Sequence, residues 1–214
     1  SSYSKNINDR GYMSGDKLNP HVDTSDMTVL LCLKTACIGG VSSLASSAAI
    51  FNEIYKNHSN FLKFYYRGFH HDLRGEGPTG DLDEVTKNLI PVFSIHKGLL
   101  SCCYNDKIIY SAHKKIESVL STKEIEAIDL IKNIATRSDI KFDFQFQAGD
   151  LQFINNYVLL HSRSAYKAGL NKEGQRCLLR MWMNSKNPRP LSPNFAERYN
   201  TGPRGGIFSK NNYK

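Results

Sequence analysis

Met27–Lys34 (MTVLLCLK) is a short, nearly unbroken apolar run closed by Gly39-Gly40, the pattern of a buried strand. Val41–Leu44 continues as a second short strand. The period then changes. Ile50, Phe51 and Ile54 within Ser47–Tyr55 fall at helical spacing. Gly68–Glu84 is a long loop holding His70, His71, Arg74, Gly75, Gly77, Pro78 and Gly80, and long loops in compact proteins are often functional. Pro91–His96 and Leu99–Cys103 read as a hairpin turning at Lys97-Gly98.

Helical periodicity returns over Lys107–Leu120 and again after Ser121-Thr122-Lys123-Glu124, a capping box followed by Ile125, Ile128, Ile131 and Ile134 on one stripe. Residues 105–136 thus form a helical insert. Beyond it the pattern is sheet: Phe142, Phe144 and Phe146 alternate with Asp143 and Gln145. Ala148-Gly149-Asp150 turns the chain into Leu151–Ile154, and Asn155-Asn156 turns it into Tyr157–His161. Arg176–Met183 is the last strand. Its Cys177, Leu179, Met181 and Met183 form an apolar face expected to enter a core, and Arg176, Leu178, Arg180 and Trp182 form the other. Strands at both ends with helices between them predict a mainly β fold with α insertions, an antiparallel barrel or sandwich, and not a βαβ series.

With 40% apolar and 22% charged residues, the 214-residue chain has the make-up of a folded globular domain, which excludes a disordered one. No apolar run approaches the roughly 20 residues a membrane span needs. The net charge of +8 is spread over scattered lysines, with no basic run longer than Lys114-Lys115. That argues against a nucleic-acid face and leaves a lysine-rich solvated surface or a small anionic substrate. Five cysteines without a CxxC pair give neither a disulfide framework nor a zinc ribbon, so the thiols are expected reduced, in a cytoplasmic compartment. No GxGxxG or Walker A sequence is present.

Three features carry candidate chemistry. In His21-Val22-Asp23 an imidazole and a carboxylate two residues apart point the same way from an extended chain. HxD alone is common by chance. His161 closes an apolar strand, where a lone histidine is ordinarily a satisfied core residue; with His21 and Asp23 it would complete a two-histidine, one-carboxylate set that leaves positions open and suits non-haem Fe(II). Arg176 and Arg180 lie roughly 13 Å apart along one strand face. Buried guanidiniums need anions, so they either pair with protein carboxylates or clamp a dicarboxylate bidentately.

Taken in order, HVDTSD at 21–26, LLCLKTACIGGVSSL at 30–44, RGEGP at 74–78, PVFSIHKGLLSCCY at 91–104, GDLQFINNYVLLHSRSAY at 149–166 and RCLLRMWM at 176–183 resemble the taurine dioxygenase/TfdA-like branch of the Fe(II)- and 2-oxoglutarate-dependent oxygenases. The resemblance implies one oxygenase domain over residues 1–214, a distorted double-stranded β-helix of the jelly-roll type. Relatives carry a sizeable segment before HxD, so the chain is expected to be either a C-terminal portion lacking early strands or an unusually short member. By position, His21, Asp23 and His161 match the iron ligands, Arg176 the arginine on the distal carboxylate of 2-oxoglutarate, and Ser42 a hydroxyl that helps hold it. Arg180 matches a second arginine used for the substrate anion or near the cosubstrate.

The implied activity couples O2 and oxidative decarboxylation of 2-oxoglutarate, releasing succinate and CO2, to oxidation of a small and anionic molecule. Asp23 implies hydroxylation or a related oxidation and not halogenation, because halogenating relatives lack this carboxylate. Residues 68–84 are the candidate lid or substrate loop. The alternatives are a non-catalytic barrel that binds a small acid or a protein, and a zinc hydrolase on the same ligands, which would lack an HExxH-type base.

Overall fold

The computed structural model describes residues 15–77, 79–167, 176–187 and 189–196. Two antiparallel sheets form its frame. The first has the order β1-β9-β4-β7 and is built from Leu18–His21 (β1), Leu159–Arg163 (β9), Ser42–Ser46 (β4) and Lys141–Phe144 (β7). The second has the order β11-β2-β8, from Cys177–Met183 (β11), Met27–Lys34 (β2) and Leu151–Asn155 (β8). Two smaller pairs complete the strands: Ile38–Gly39 (β3) with Tyr166–Lys167 (β10), and Phe93–His96 (β5) with Leu99–Cys102 (β6).

Strands distant in sequence lie side by side, and this brings the chemistry of both chain ends together. In the first sheet His21 stands opposite His161, and Leu44 and Ser42 stand opposite His161 and Arg163. In the second, Trp182 faces Thr28, and Thr28 faces Ile154.

The helices cover the first sheet. Ser47–Asn57 (α1) starts at Ser46, whose hydroxyl accepts from the Ala49 N–H. The sequence did not announce the short Leu62–Arg67 (α2), which follows a single 3-10 turn at Ser59–Phe61. Asp106–Lys115 (α3) is shorter than its periodicity suggested: the Ser118 N–H turns back onto the His113 carbonyl, and Glu117 adopts φ 53°, the left-handed stop of a helix end. Thr122–Ala135 (α4) carries the expected capping box, made reciprocally by Ser121 and Glu124. Pro193–Ala196 (α5) is the last element.

Ile50 and Ile54 of α1, and Ile128, Ile131 and Ile134 of α4, pack with Tyr65, Phe93, Tyr104 and Leu160 into the main core. Ile125, on the same stripe, is 40% exposed, so the buried stripe begins one turn later than its spacing suggested. The two buried tyrosines are satisfied, Tyr65 by the Ala127 carbonyl at 2.8 Å and Tyr104 by the Ile128 carbonyl at 2.9 Å. The β5–β6 hairpin turns at Lys97 (φ 49°) and Gly98 (φ 74°), the paired left-handed conformation a two-residue loop requires.

One expectation fails. The apolar face of β11 does not enter a core: Leu179, Met181 and Met183 are exposed, beside exposed Leu151 and Phe153 across the sheet. The opposite face takes the interior side, where Trp182 and Arg180 meet Asp23, and a strand offers only one face to a given core. The register between β11 and β2 also shifts between Cys177 and Leu178, where Leu33 of β2 is left unpaired. The strand ending at His161 likewise starts later than read. Asn155–Val158 forms the turn, and β9 runs on to Arg163. No helix among the described residues is long and apolar enough to cross a membrane.

Candidate active site

The inner faces of the two sheets meet at Asp23, which lies between β1 and β2. His21 ends β1 and His161 stands in the middle of β9, so their cross-strand pairing stacks the rings at 4.3 Å between centroids. His21 Nε2 is 3.9 Å from Asp23 Oδ1 and His161 Nε2 is 3.7 Å from Oδ2. The three donor groups come within 4.8 Å of one another and could hold one metal ion. The β1–β9 ladder is irregular between Leu18 and His21, a distortion of the kind that re-aims side chains at functional sites.

His21 and Asp23 are held from behind. His21 Nδ1 donates to the Asn19 carbonyl at 2.7 Å, which leaves Nε2 with its lone pair toward Asp23. Asp23 Oδ2 accepts from Thr28 Oγ1 at 2.8 Å and from Trp182 Nε1 at 3.0 Å. Asn156, fully buried, accepts from the Asp23 backbone N–H at 3.2 Å and donates to Thr28 Oγ1 at 3.0 Å, tying the carboxylate's supports to the turn before β9. With Oδ2 committed to two donors, Oδ1 is the oxygen open to a cation. Sequence reading missed Thr28, Asn156 and Trp182 in these roles. The only available signal was that Trp182 shares a face with Arg180.

The electrostatics suit a metal-binding set. Burial opposes ionisation of Asp23, but His161, His21, Arg180 and the Trp182 hydrogen bond prevail and hold the carboxyl far below its usual range. Burial, joined by His21 and Arg180, keeps His161 well below the imidazole range against the pull of Asp23. Its Nδ1 is buried with no hydrogen-bond partner. An ionised carboxylate beside a neutral imidazole is the protonation state that metal coordination needs, so the residues fit a divalent cation.

The two arginines separate. Arg180 lies at the triad, with Nη1 3.7 Å from Asp23 Oδ1 and its guanidinium stacked 4.4 Å from the Trp182 ring centre. Arg176 lies at the other end of the strand, against Gly40 and over the Tyr166 ring at 5.6 Å. Gly40 has φ +73°, and a Cβ there would sit 3.2 Å from the Ala36 Cβ and 3.5 Å from the Arg176 side chain. The left-handed backbone and the tight Ala36 contact favour glycine here, while Arg176 packs against it at ordinary contact distance. Ser42 is buried on β4, paired with Arg163 on one side and Phe144 on the other.

The loop at 68–84 is anchored on its first half. His70 Nδ1 bonds the Thr86 carbonyl at 2.9 Å, and buried Asp72 pairs with Lys115 at 2.8 Å and accepts from Ser111 at 2.6 Å. Thr79–Asp83 at the tip is exposed.

Two sheets with a two-histidine, one-carboxylate cluster between them define a candidate metal-binding site. The model of the taurine catabolism dioxygenase TauD, TfdA family matches residues 2–182, and the chain belongs to that family. It is 33% identical over 183 residues to the FR-33289 synthase of Streptomyces rubellomurinus, covering 84% of this chain and 53% of that one. It is 27% identical over 166 residues to the taurine hydroxylase-like protein SAT17 of Stachybotrys chartarum, covering 75% of this chain and 40% of that one. The chain thus spans about half the length of these curated relatives.

Among solved structures, an asparagine oxygenase in complex with Fe(II), 2S,3S-3-hydroxyasparagine and succinate superposes with a TM-score of 0.61 at 14% identity, over 78% of this chain and 50% of that one. PvcB from Pseudomonas aeruginosa does so with a TM-score of 0.56 at 14% identity, over 83% and 60%. At these identities the likeness is one of fold.

Proposed function

We propose that the chain carries the catalytic region of an Fe(II)- and 2-oxoglutarate-dependent dioxygenase that hydroxylates or otherwise oxidises a small, anionic organic molecule. The observation that carries this reading is the convergence of His21, Asp23 and His161 within 4.8 Å, with His21 and Asp23 oriented from behind. The sheets β1-β9-β4-β7 and β11-β2-β8 would be the two walls of a double-stranded β-helix. His21 Nε2, Asp23 Oδ1 and His161 Nε2 would hold the iron. Arg176 and Ser42 would take the distal carboxylate of 2-oxoglutarate. When bound, iron and 2-oxoglutarate supply the oxidising power, by activating O2 with release of succinate and CO2.

The chain's own residues do the rest. Thr28 and Trp182 fix the plane of Asp23, and Asn19 fixes the tautomer of His21. Arg180, beside Asp23, offers a cation to an anionic substrate, and the stack on Trp182 limits its swing. The exposed tip at 79–83 would be the moving part of a lid. We place this work on a small molecule in the cytoplasm, where cysteines without a disulfide framework stay reduced. The same fold used only for binding is less well supported, because all three donors are present and converge.

Anaerobic titration of the chain with Fe(II) and then 2-oxoglutarate tests the reading. The expected result is a visible charge-transfer band that is lost in His21→Ala and weakened in Arg176→Ala. Folded protein that takes up Fe(II) but gives no band with 2-oxoglutarate would overturn it. So would zinc-dependent hydrolysis with no oxygen requirement.

A further inference from the structure

Arg163 is a buried cation to which neither the sequence reading nor the triad assigns a role. It is 4% exposed, and it lies two residues beyond His161 on β9, so both side chains face the interior, about 7 Å apart along the strand. Ser42 is its direct cross-strand partner. Its guanidinium sits 4.5 Å from the centre of the Tyr166 ring, and that of Arg176 sits 5.6 Å from the same centre. One ring thus serves two guanidiniums. One of its nitrogens, Nη2, also donates to the Asp16 carbonyl, and the Tyr166 N–H bonds the Gly15 carbonyl at 2.9 Å, so the chain at 15–16 fastens both residues.

Two arginines on one ring cost desolvation and repel each other. The Asp16 charge offsets part of that cost for Arg163, and an anion reaching both guanidiniums would offset more.

We propose that Arg163 is a positioning residue of the 2-oxoglutarate site: through the shared Tyr166 ring it sets the guanidinium of Arg176, and it adds a second positive charge where the distal carboxylate lies. The inference rests on the dioxygenase reading and deepens it. The spacing agrees, since one interior step of β9 from His161 to Arg163 is about the reach of a five-carbon diacid whose other end lies at the triad.

The test compares two 2-oxo acids on the Fe(II)-loaded full chain without oxygen, following binding by calorimetry and by the charge-transfer band. 2-Oxoglutarate has the distal carboxylate and 2-oxopentanoate lacks it. Arg163→Met is expected to weaken 2-oxoglutarate about tenfold or more, the scale of a lost hydrogen bond to a charged group. It should leave 2-oxopentanoate and Fe(II) binding unchanged, with partial recovery in Arg163→Lys. Tyr166→Leu, which keeps the arginine and its bond to Asp16, should give the same selective loss, and it decides the matter if Arg163→Met does not fold.

Equal weakening of both acids would reduce Arg163 to a packing role and overturn the proposal, as would unchanged affinity for 2-oxoglutarate. A wild-type chain that binds iron but neither acid would overturn the dioxygenase reading itself, and this proposal with it.

Discussion

Trp182 Nε1 donates to Asp23 Oδ2 at 3.0 Å, joining residues 159 positions apart and locking the last strand of one sheet to the carboxylate between the two. The bond occupies Oδ2 and leaves Oδ1 turned to His21 and Arg180. Trp182→Phe keeps the ring and removes the donor. Outer hydrogen bonds of this kind typically govern metal affinity by about 10- to 100-fold. The expected outcome is a loss of Fe(II) affinity in that range with the fold retained, measured by anaerobic competition with a chelator. Unchanged affinity would show that Thr28 alone orients Asp23.

Asp72 and Lys115 form the most deeply buried ion pair among the described residues, at 2.8 Å, with side chains 0% and 7% exposed. Asp72 also accepts from Ser111 Oγ at 2.6 Å and from the Arg74 N–H at 2.8 Å. Lys115→Met removes the cation and leaves the carboxylate buried, which costs about 3–5 kcal/mol in comparable pairs. Chemical denaturation should show a loss of that order, and Asp72→Asn added to Lys115→Met should recover part of it. A loss below about 1 kcal/mol would mean that water or a neighbour takes over the carboxylate.

The HxD pair, His161 and the second sheet's strands were legible because each depends on local spacing or on a single apolar run. Met27–Lys34 in particular has the bounds its sequence suggests. What was not legible depends on pairing between distant strands. Nothing local tells that Arg163 stands beside Ser42, or that Asn156, which reads as a turn residue, supports Asp23 from within. The short helix at Leu62–Arg67 was missed because six residues are too few to establish a period. The face of β11 was misassigned for a different reason. Both of its faces carry apolar residues, so alternation cannot say which one turns inward, and the interior side is decided by Asp23.

That misassigned face makes its own prediction. Leu179, Leu31 and Leu151 lie in one row across the second sheet, and Met181, Val29 and Phe153 in the next. Met181 is 60% and Phe153 58% exposed. An apolar surface of contiguous side chains binds hydrophobic dyes and favours association. Met181→Lys with Phe153→Glu should lower dye fluorescence and self-association while leaving Fe(II) binding unchanged, because both side chains point away from Asp23. If dye binding persists undiminished, the dye reports another surface.

His113 supplies a pH dependence separate from the triad. Both of its ring nitrogens are buried without a hydrogen-bond partner. Burial first, then the neighbouring His70, lowers its pKa, with Arg67 acting in the same direction and Glu124 and the Ser118 backbone opposing. The His70 ring lies 5.9 Å away and that of Phe69 6.3 Å. A histidine held neutral in the fold binds its proton more readily in the unfolded chain, so stability rises with pH where the two states differ. The contribution is intact above the unfolded value of about 6.5. It is lost as pH falls from there toward the lowered folded value. His113→Gln removes the titration, so the difference in unfolding free energy between wild type and variant should change between pH 7.5 and about pH 5 in favour of the variant. Neither Asp23 nor His161 is among the groups that shift His113, so taking that difference cancels their contributions. A difference that stays flat over this interval would mean that His113 finds a proton partner in the fold.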